Sequence, residues 1–129
     1  MLKMEYLLEE AKELGLPMTK KRAILREYLQ TIILNSIYKS NFAKSMFFVG
    51  GTALRFFYNL PRFSEDLDFN TASLEKNSFK KILERVEMNL SLEGFSPEIS
   101  YLTFANSRNS YGHLFSSRCY FSFFCENKL

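Results

Sequence analysis

At 129 residues, with 24% charged and 47% hydrophobic side chains, the chain has the size and balance of one folded domain with its own core, not of a disordered segment. The net charge of +3 and a pI near 8.9 permit a polyanionic partner such as nucleic acid without requiring one. No apolar run reaches the ~18 residues of a membrane span, the acid-containing start MLKMEYLLEEAKELG is neither a signal nor a transit peptide, and Cys119 and Cys125 lack the paired spacing of a zinc site and read as reduced thiols of a cytosolic protein.

The first predicted element is a loose helix from Met1 to Leu14, closed by Gly15 and Pro17 as a C-cap glycine and following proline close one. Thr19 reads as the N-cap of a longer helix through Tyr38. Its Ile24, Leu25, Tyr28, Leu29, Ile32 and Ile33 recur at three- and four-residue steps. Met46-Phe47-Phe48-Val49, ended by Gly50 and Gly51, predicts a short buried strand and a tight turn. TALRFFYNL then supports a short helix ending near Asn59 and Pro61. From Phe63 to Asn70 the period is two, with Asp66 and Asp68 on one face of a strand. Leu74 to Leu92 returns to a helical stripe of Phe79, Ile82, Leu83, Val86 and Leu90, with Gly94 as its cap. SPEISYLTF predicts a third strand, with Pro97 at its start where a missing N–H does least harm. From Ala105 onward, NSRNSYGHLFSSRCYFSFFCENKL shows no clear helical or strand pattern.

Two features in this series carry chemistry. A strand ending in glycines and feeding a helix suits a phosphate, because the backbone can approach the anion and the free N–H groups of the first turn point at it. Thr52 adds a hydroxyl donor there. Alone, the same turn is more often a strand-to-helix connection without a ligand. Two carboxylates spaced by one residue on a strand face can hold divalent metal beside substrate phosphates. Alone, Asp-Leu-Asp is far more often the solvated face of an edge strand. Joined by one short helix and turn, the two features together favour nucleotidyl transfer.

The string VGGTALRFFYNLPRFSEDLDF resembles the signature of the AbiEii/AbiGii-type nucleotidyltransferase toxins of the polymerase-β-like nucleotidyltransferase superfamily. The pattern is Gly-Gly-Thr-Ala-Leu, a helix, then Arg-x-Ser-x-Asp-Leu-Asp-Phe. It is met at Gly50, Gly51, Thr52, Ala53, Leu54, Arg62, Ser64, Asp66, Leu67, Asp68 and Phe69. The resemblance implies an α/β (α+β) fold, a small mixed sheet with flanking helices. It also implies transfer of a nucleoside monophosphate from an NTP with release of pyrophosphate. Mg2+ (or Mn2+) would be held by Asp66 and Asp68, the catalytic pair, and the nucleotide by Gly50, Gly51, Thr52, Arg62 and Ser64. For Arg62 a structural salt bridge stays open beside a phosphate role. The implied partners are an acceptor such as a tRNA 3′ end and an antitoxin protein, in the cytoplasm and away from any membrane.

The resemblance spans residues 15–104. Residues 1–104 are therefore expected to form a nucleotidyltransferase-like domain, and 105–129 a divergent aromatic and serine-rich tail replacing the family's C-terminal half. That half carries a third carboxylate, a general base or further metal ligand. Glu98 and Glu126 are the acids nearest such a position, and neither is followed by the expected helical region. His113, the single histidine, has no catalytic partner in its setting. Lys20, Lys21, Arg22 and Arg26 form a basic start to the second helix, suited to RNA phosphates or to an ordinary solvated face. Two functions follow: a working transferase, or a truncated, catalytically inactive remnant that binds nucleotide or a partner protein.

Overall fold

The computed structural model describes the backbone of residues 3–72, 74–105 and 116–125, and side chains as far as Pro97 with Lys76 excepted. In chain order the elements are α1 (Met4–Glu13), α2 (Lys21–Tyr38), a 3-10 turn (Ala43–Ser45), β1 (Met46–Val49), α3 (Gly50–Tyr58), β2 (Leu67–Ala72), α4 (Lys76–Leu92), β3 (Pro97–Ala105) and β4 (Ser116–Cys125). The α/β (α+β) class expected from the sequence is the one observed. Among the described residues the sheet has four strands in the order β1-β2-β4-β3, and their pairings are all antiparallel where a mixed sheet was expected.

Helices α1 and α4 end alike. The Leu16 N–H donates to Ala11 O and the Phe95 N–H to Leu90 O, and both apolar residues fold back into buried positions, the closing contact of such caps. At the start of α2 the expectation of a Thr19 cap is corrected. The Lys20 N–H reaches back to Pro17 O at 3.2 Å, so Thr19 lies inside a turn and Lys20 occupies the cap without a side-chain bond.

A second correction concerns the tail. Within it, SSRCYFSFFC forms β4, inserted between β2 and β3 and so part of the same sheet as the preceding residues. Ser117, Cys119, Phe121, Phe123 and Cys125 do alternate with Ser116, Arg118, Tyr120, Ser122 and Phe124. Aromatic and polar residues occur in both sets, which hid the period of two. His113 and Glu126 lie outside the described residues.

One layer of helix packs on the sheet. The main core joins Leu29, Ile33 and Ile37 of α2 to Met46 of β1, Leu67 and Phe69 of β2, and the whole predicted stripe of α4. A smaller cluster of Leu7, Ala11, Leu16 and Ile24 lies under α1, with Phe63 packed against it. In β2 the burial alternates strictly, Leu67, Phe69 and Thr71 inward and Asp68, Asn70 and Ala72 outward.

Candidate functional site

The glycine turn and the acidic pair meet because β1 and β2 are neighbours. Val49, the last residue of β1, is the register partner of Asp68. Gly50 then turns the chain into α3 with φ of +83°, a conformation that L side chains rarely adopt. A Cβ on Gly50 would stand 3.2 Å from Asp68 Cγ and 3.3 Å from its Cβ, so the turn closes onto the carboxylate only with glycine present. At Gly51 an added Cβ would lie 3.4 Å from Ser64 Oγ. The N-cap of α3 is Val49, which supplies no side-chain bond, and the N–H groups of the first turn have no acceptor within the helix. They present a partial positive charge beside the acids.

Asp66 is exposed and Asp68 half-buried, on either side of the fully buried Leu67. The strand begins at Leu67, not at Phe63 as the alternation suggested. Its approach is held by side chains. Gln30 Nε2, on α2, donates to Ser64 O at 3.0 Å and to Glu65 O at 3.1 Å. The Thr52 hydroxyl donates to Asp66 O and is hydrogen-bonded to Ser64 Oγ at 2.7 Å. Thr52 is 1% exposed, and its hydroxyl ties α3 to the acid arm. Arg62 is exposed after the Pro61 bend, and the structural salt bridge left open for it is not formed among the described residues.

Two contributors escaped the sequence reading. Gln30 lies within an apolar helical pattern, and that misplaced polarity was its signal. Arg55, on α3, stands between Leu54 and Phe56 in the matched string and is 3% exposed. It donates through Nη2 and Nε to the Glu27 carboxylate at 2.9 and 3.2 Å, and through Nη1 to Asn59 Oδ1 at 2.9 Å. Asn59 ends α3 in the left-handed region, φ 51°. Burial pushes the Glu27 carboxyl above its ordinary range, against the lowering influence of the Arg55 charge and hydrogen bond. On the surface, Arg26 pairs with Glu65 at 2.9 Å. Lys20, Lys21 and Arg22 are exposed.

Among the described residues no group of three His, Cys, Asp or Glu side chains is placed to hold a metal ion. The acidic pair still fits magnesium, which takes one or two carboxylates and completes its shell with water and substrate phosphate oxygens. The strand beside β2 adds no acid: β4 contains neither Asp nor Glu, and Tyr120 is the register partner of Asp68. Glu98 sits on β3 opposite Phe124, one strand further away. No described helix is long and apolar enough to cross a membrane.

A family model described as nucleotidyl transferase AbiEii toxin, Type IV toxin–antitoxin system, matches residues 32–116, well over half of the chain and inclusive of the glycine turn and both aspartates. No curated protein and no solved structure matches it. The chain belongs to the AbiEii nucleotidyl transferase toxin family.

Proposed function

We propose that this member of the AbiEii family is a metal-dependent nucleotidyltransferase, the toxin of a toxin–antitoxin pair in the cytoplasm. It transfers a nucleoside monophosphate from an NTP to an acceptor hydroxyl such as that of a tRNA 3′ end. The observation that supports this reading is the packing of Gly50 on Asp68, which sets the start of a helix, whose free N–H groups suit an anion, directly against a carboxylate.

In this reading the N–H groups of Gly50, Gly51 and Thr52 bind the triphosphate, and Arg62, exposed and without an ion pair among the described residues, adds a positive charge to it. Ser64 lines the floor beneath Gly51. Asp66 and Asp68 hold Mg2+ or Mn2+, whose charge offsets that of the transferring phosphoryl group. The acceptor oxygen bonds to the α-phosphorus while the bond to the pyrophosphate oxygen breaks, and the hydroxyl proton passes to solvent. Fixed positive charge and positioning supply most of the acceleration in such a transfer.

The test is transfer of label from α-labelled NTPs to bulk tRNA, or to the protein itself, in the presence of magnesium. Label is expected with the wild type and should fall by at least about a hundred-fold in Asp66→Asn. No label from protein shown to be folded would instead support the inactive remnant that binds nucleotide or a partner protein.

A further inference from the structure

We infer that Gln30 is a positioning residue for the acidic pair and that α2 fixes the glycine turn and the acid arm relative to one another, an inference that rests on the nucleotidyltransferase reading of Asp66 and Asp68. Gln30 is 1% exposed in a helix that otherwise buries mainly aliphatic residues. A buried carboxamide is tolerated only where its donors are paired. Both N–H groups of Nε2 are used, on two successive carbonyls, Ser64 O and Glu65 O. The next carbonyl, Asp66 O, accepts from Thr52. Three consecutive carbonyls ahead of Leu67 are thus held by side chains, while strand register begins only at Leu67 with β4 and at Asp68 with β1. The backbone that carries Asp66 is therefore placed by Gln30 and Thr52.

The same helix grips the other arm. Glu27 lies three residues before Gln30, hence on the same side of α2, and its carboxylate holds Arg55 of α3. Arg26, four residues before Gln30, adds the pair with Glu65. One turn of α2 thus fastens both the helix that starts at the glycines and the segment that ends in the aspartates. Misplacement of reacting groups by about 1 Å can cost about a hundred-fold in such sites, so a fixture of this kind has a direct consequence for metal and triphosphate binding.

Gln30→Met keeps the length of the side chain and removes both donors. It is compared with wild type and with Val86→Ala, a core variant on α4 that loses stability while leaving in place the Gln30 and Thr52 hydrogen bonds to the acid arm. Hydrogen exchange of residues 62–68 and affinity for Mn2+ alone are measured at a temperature where each protein is folded. Exchange in 62–68 should rise at least about ten-fold in Gln30→Met, and Mn2+ should bind about ten-fold more weakly, neither change appearing in Val86→Ala. If Gln30→Met does not fold, Gln30→Asn, whose amide is one methylene too short to span both carbonyls, takes its place. Unchanged exchange in 62–68, or the same rise in Val86→Ala, would overturn the inference. A wild type that binds no Mn2+ would defeat the metal reading of the aspartates, while exchange would still decide the role of Gln30.

Discussion

The main core and the cluster under α1 differ in more than size. The main core joins three kinds of contact: the α2–α4 interface, the strand side chains Leu67 and Phe69, and the Phe48–Phe69 ring pair with centroids 5.4 Å apart. The cluster under α1 has four buried residues and borders an open cavity of about 250 Å3, lined by Leu7, Leu14, Leu16 and Phe63 with Glu10 and Glu27 at its polar side. The acid arm is anchored in both. Phe63 rests on the small cluster, whereas Leu67 and Phe69 are buried in the large one. Asp68 inherits the rigidity of the sheet, and Asp66 lies between a firm anchor and a looser one. Side-chain hydrogen bonds from Gln30 and Thr52 are needed where neither packing nor strand pairing reaches.

The sharpest way to break this comparison is to open a hole in each region. Phe69→Ala removes a ring with no exposed surface and should destabilise the protein by about 4 kcal/mol. Leu7→Ala, beside the existing cavity, should cost about 2 kcal/mol, the low end for such truncations, because less surrounding packing is lost. Urea unfolding measures both. Equal losses would mean that α1 is as integral to the fold as the sheet.

The elements were legible where one period dominated. The α4 stripe and the inward alternation of Leu67 and Phe69 follow from burial of a single face, and the structure buries those residues. β1 was legible from its apolar run and closing glycines, but the expectation of a buried strand is corrected: it lies at the end of the strand order, and only Met46 is buried while Phe47 is exposed. β4 was illegible because aromatics fall on both alternating sets of SSRCYFSFFC, so its period carries no contrast. The start of β2 was misjudged for a different reason: Phe63 and Glu65 continue the alternation, but the carbonyls of Ser64 and Glu65 are taken by a side chain distant in sequence. The Gly-Gly-Thr and Asp-Leu-Asp motifs were visible locally. What brings them into one site, the Val49–Asp68 pairing and the Glu27–Arg55 ion pair, depends on tertiary structure that no local pattern announces.

Glu27 tests which influence governs the joint between the regions, since it lines the cavity under α1 and also holds Arg55. Burial outweighs the attraction of Arg55 and raises the folded pKa above the unfolded 4.5. The folded protein therefore binds the proton more readily than the unfolded chain, and the stability linked to it is complete below 4.5 and lost as pH rises through the folded value. Measured against Glu27→Gln, which has no proton to exchange, the wild type should lose relative stability with rising pH in that window, by no more than about 1.4 kcal/mol per pH unit. A relative gain with rising pH would show that the Arg55 pair, not burial, dominates.

The smallest expected effect lies at the free edge of the sheet. β1 is an outer strand, and an outer strand exposes N–H and C=O groups to pairing with other chains. Tyr38, the last residue of α2, occupies that edge with a single oxygen, which accepts from the Phe48 N–H and donates to Met46 O, both at 3.1 Å. Burial of the hydroxyl raises its pKa, as expected for a phenol kept neutral within a backbone ladder. Tyr38→Phe retains the ring and removes both bonds, so stability should fall by about 1 kcal/mol in urea melts. Because the main core stays intact, the larger consequence should be association: sedimentation should show a concentration-dependent rise in mass for the variant and none for the wild type. A monomeric variant with unchanged stability would mean that the β1–β2 ladder alone holds the strand carrying the glycine turn, and that the rigidity of the sheet side of the site owes nothing to its edge.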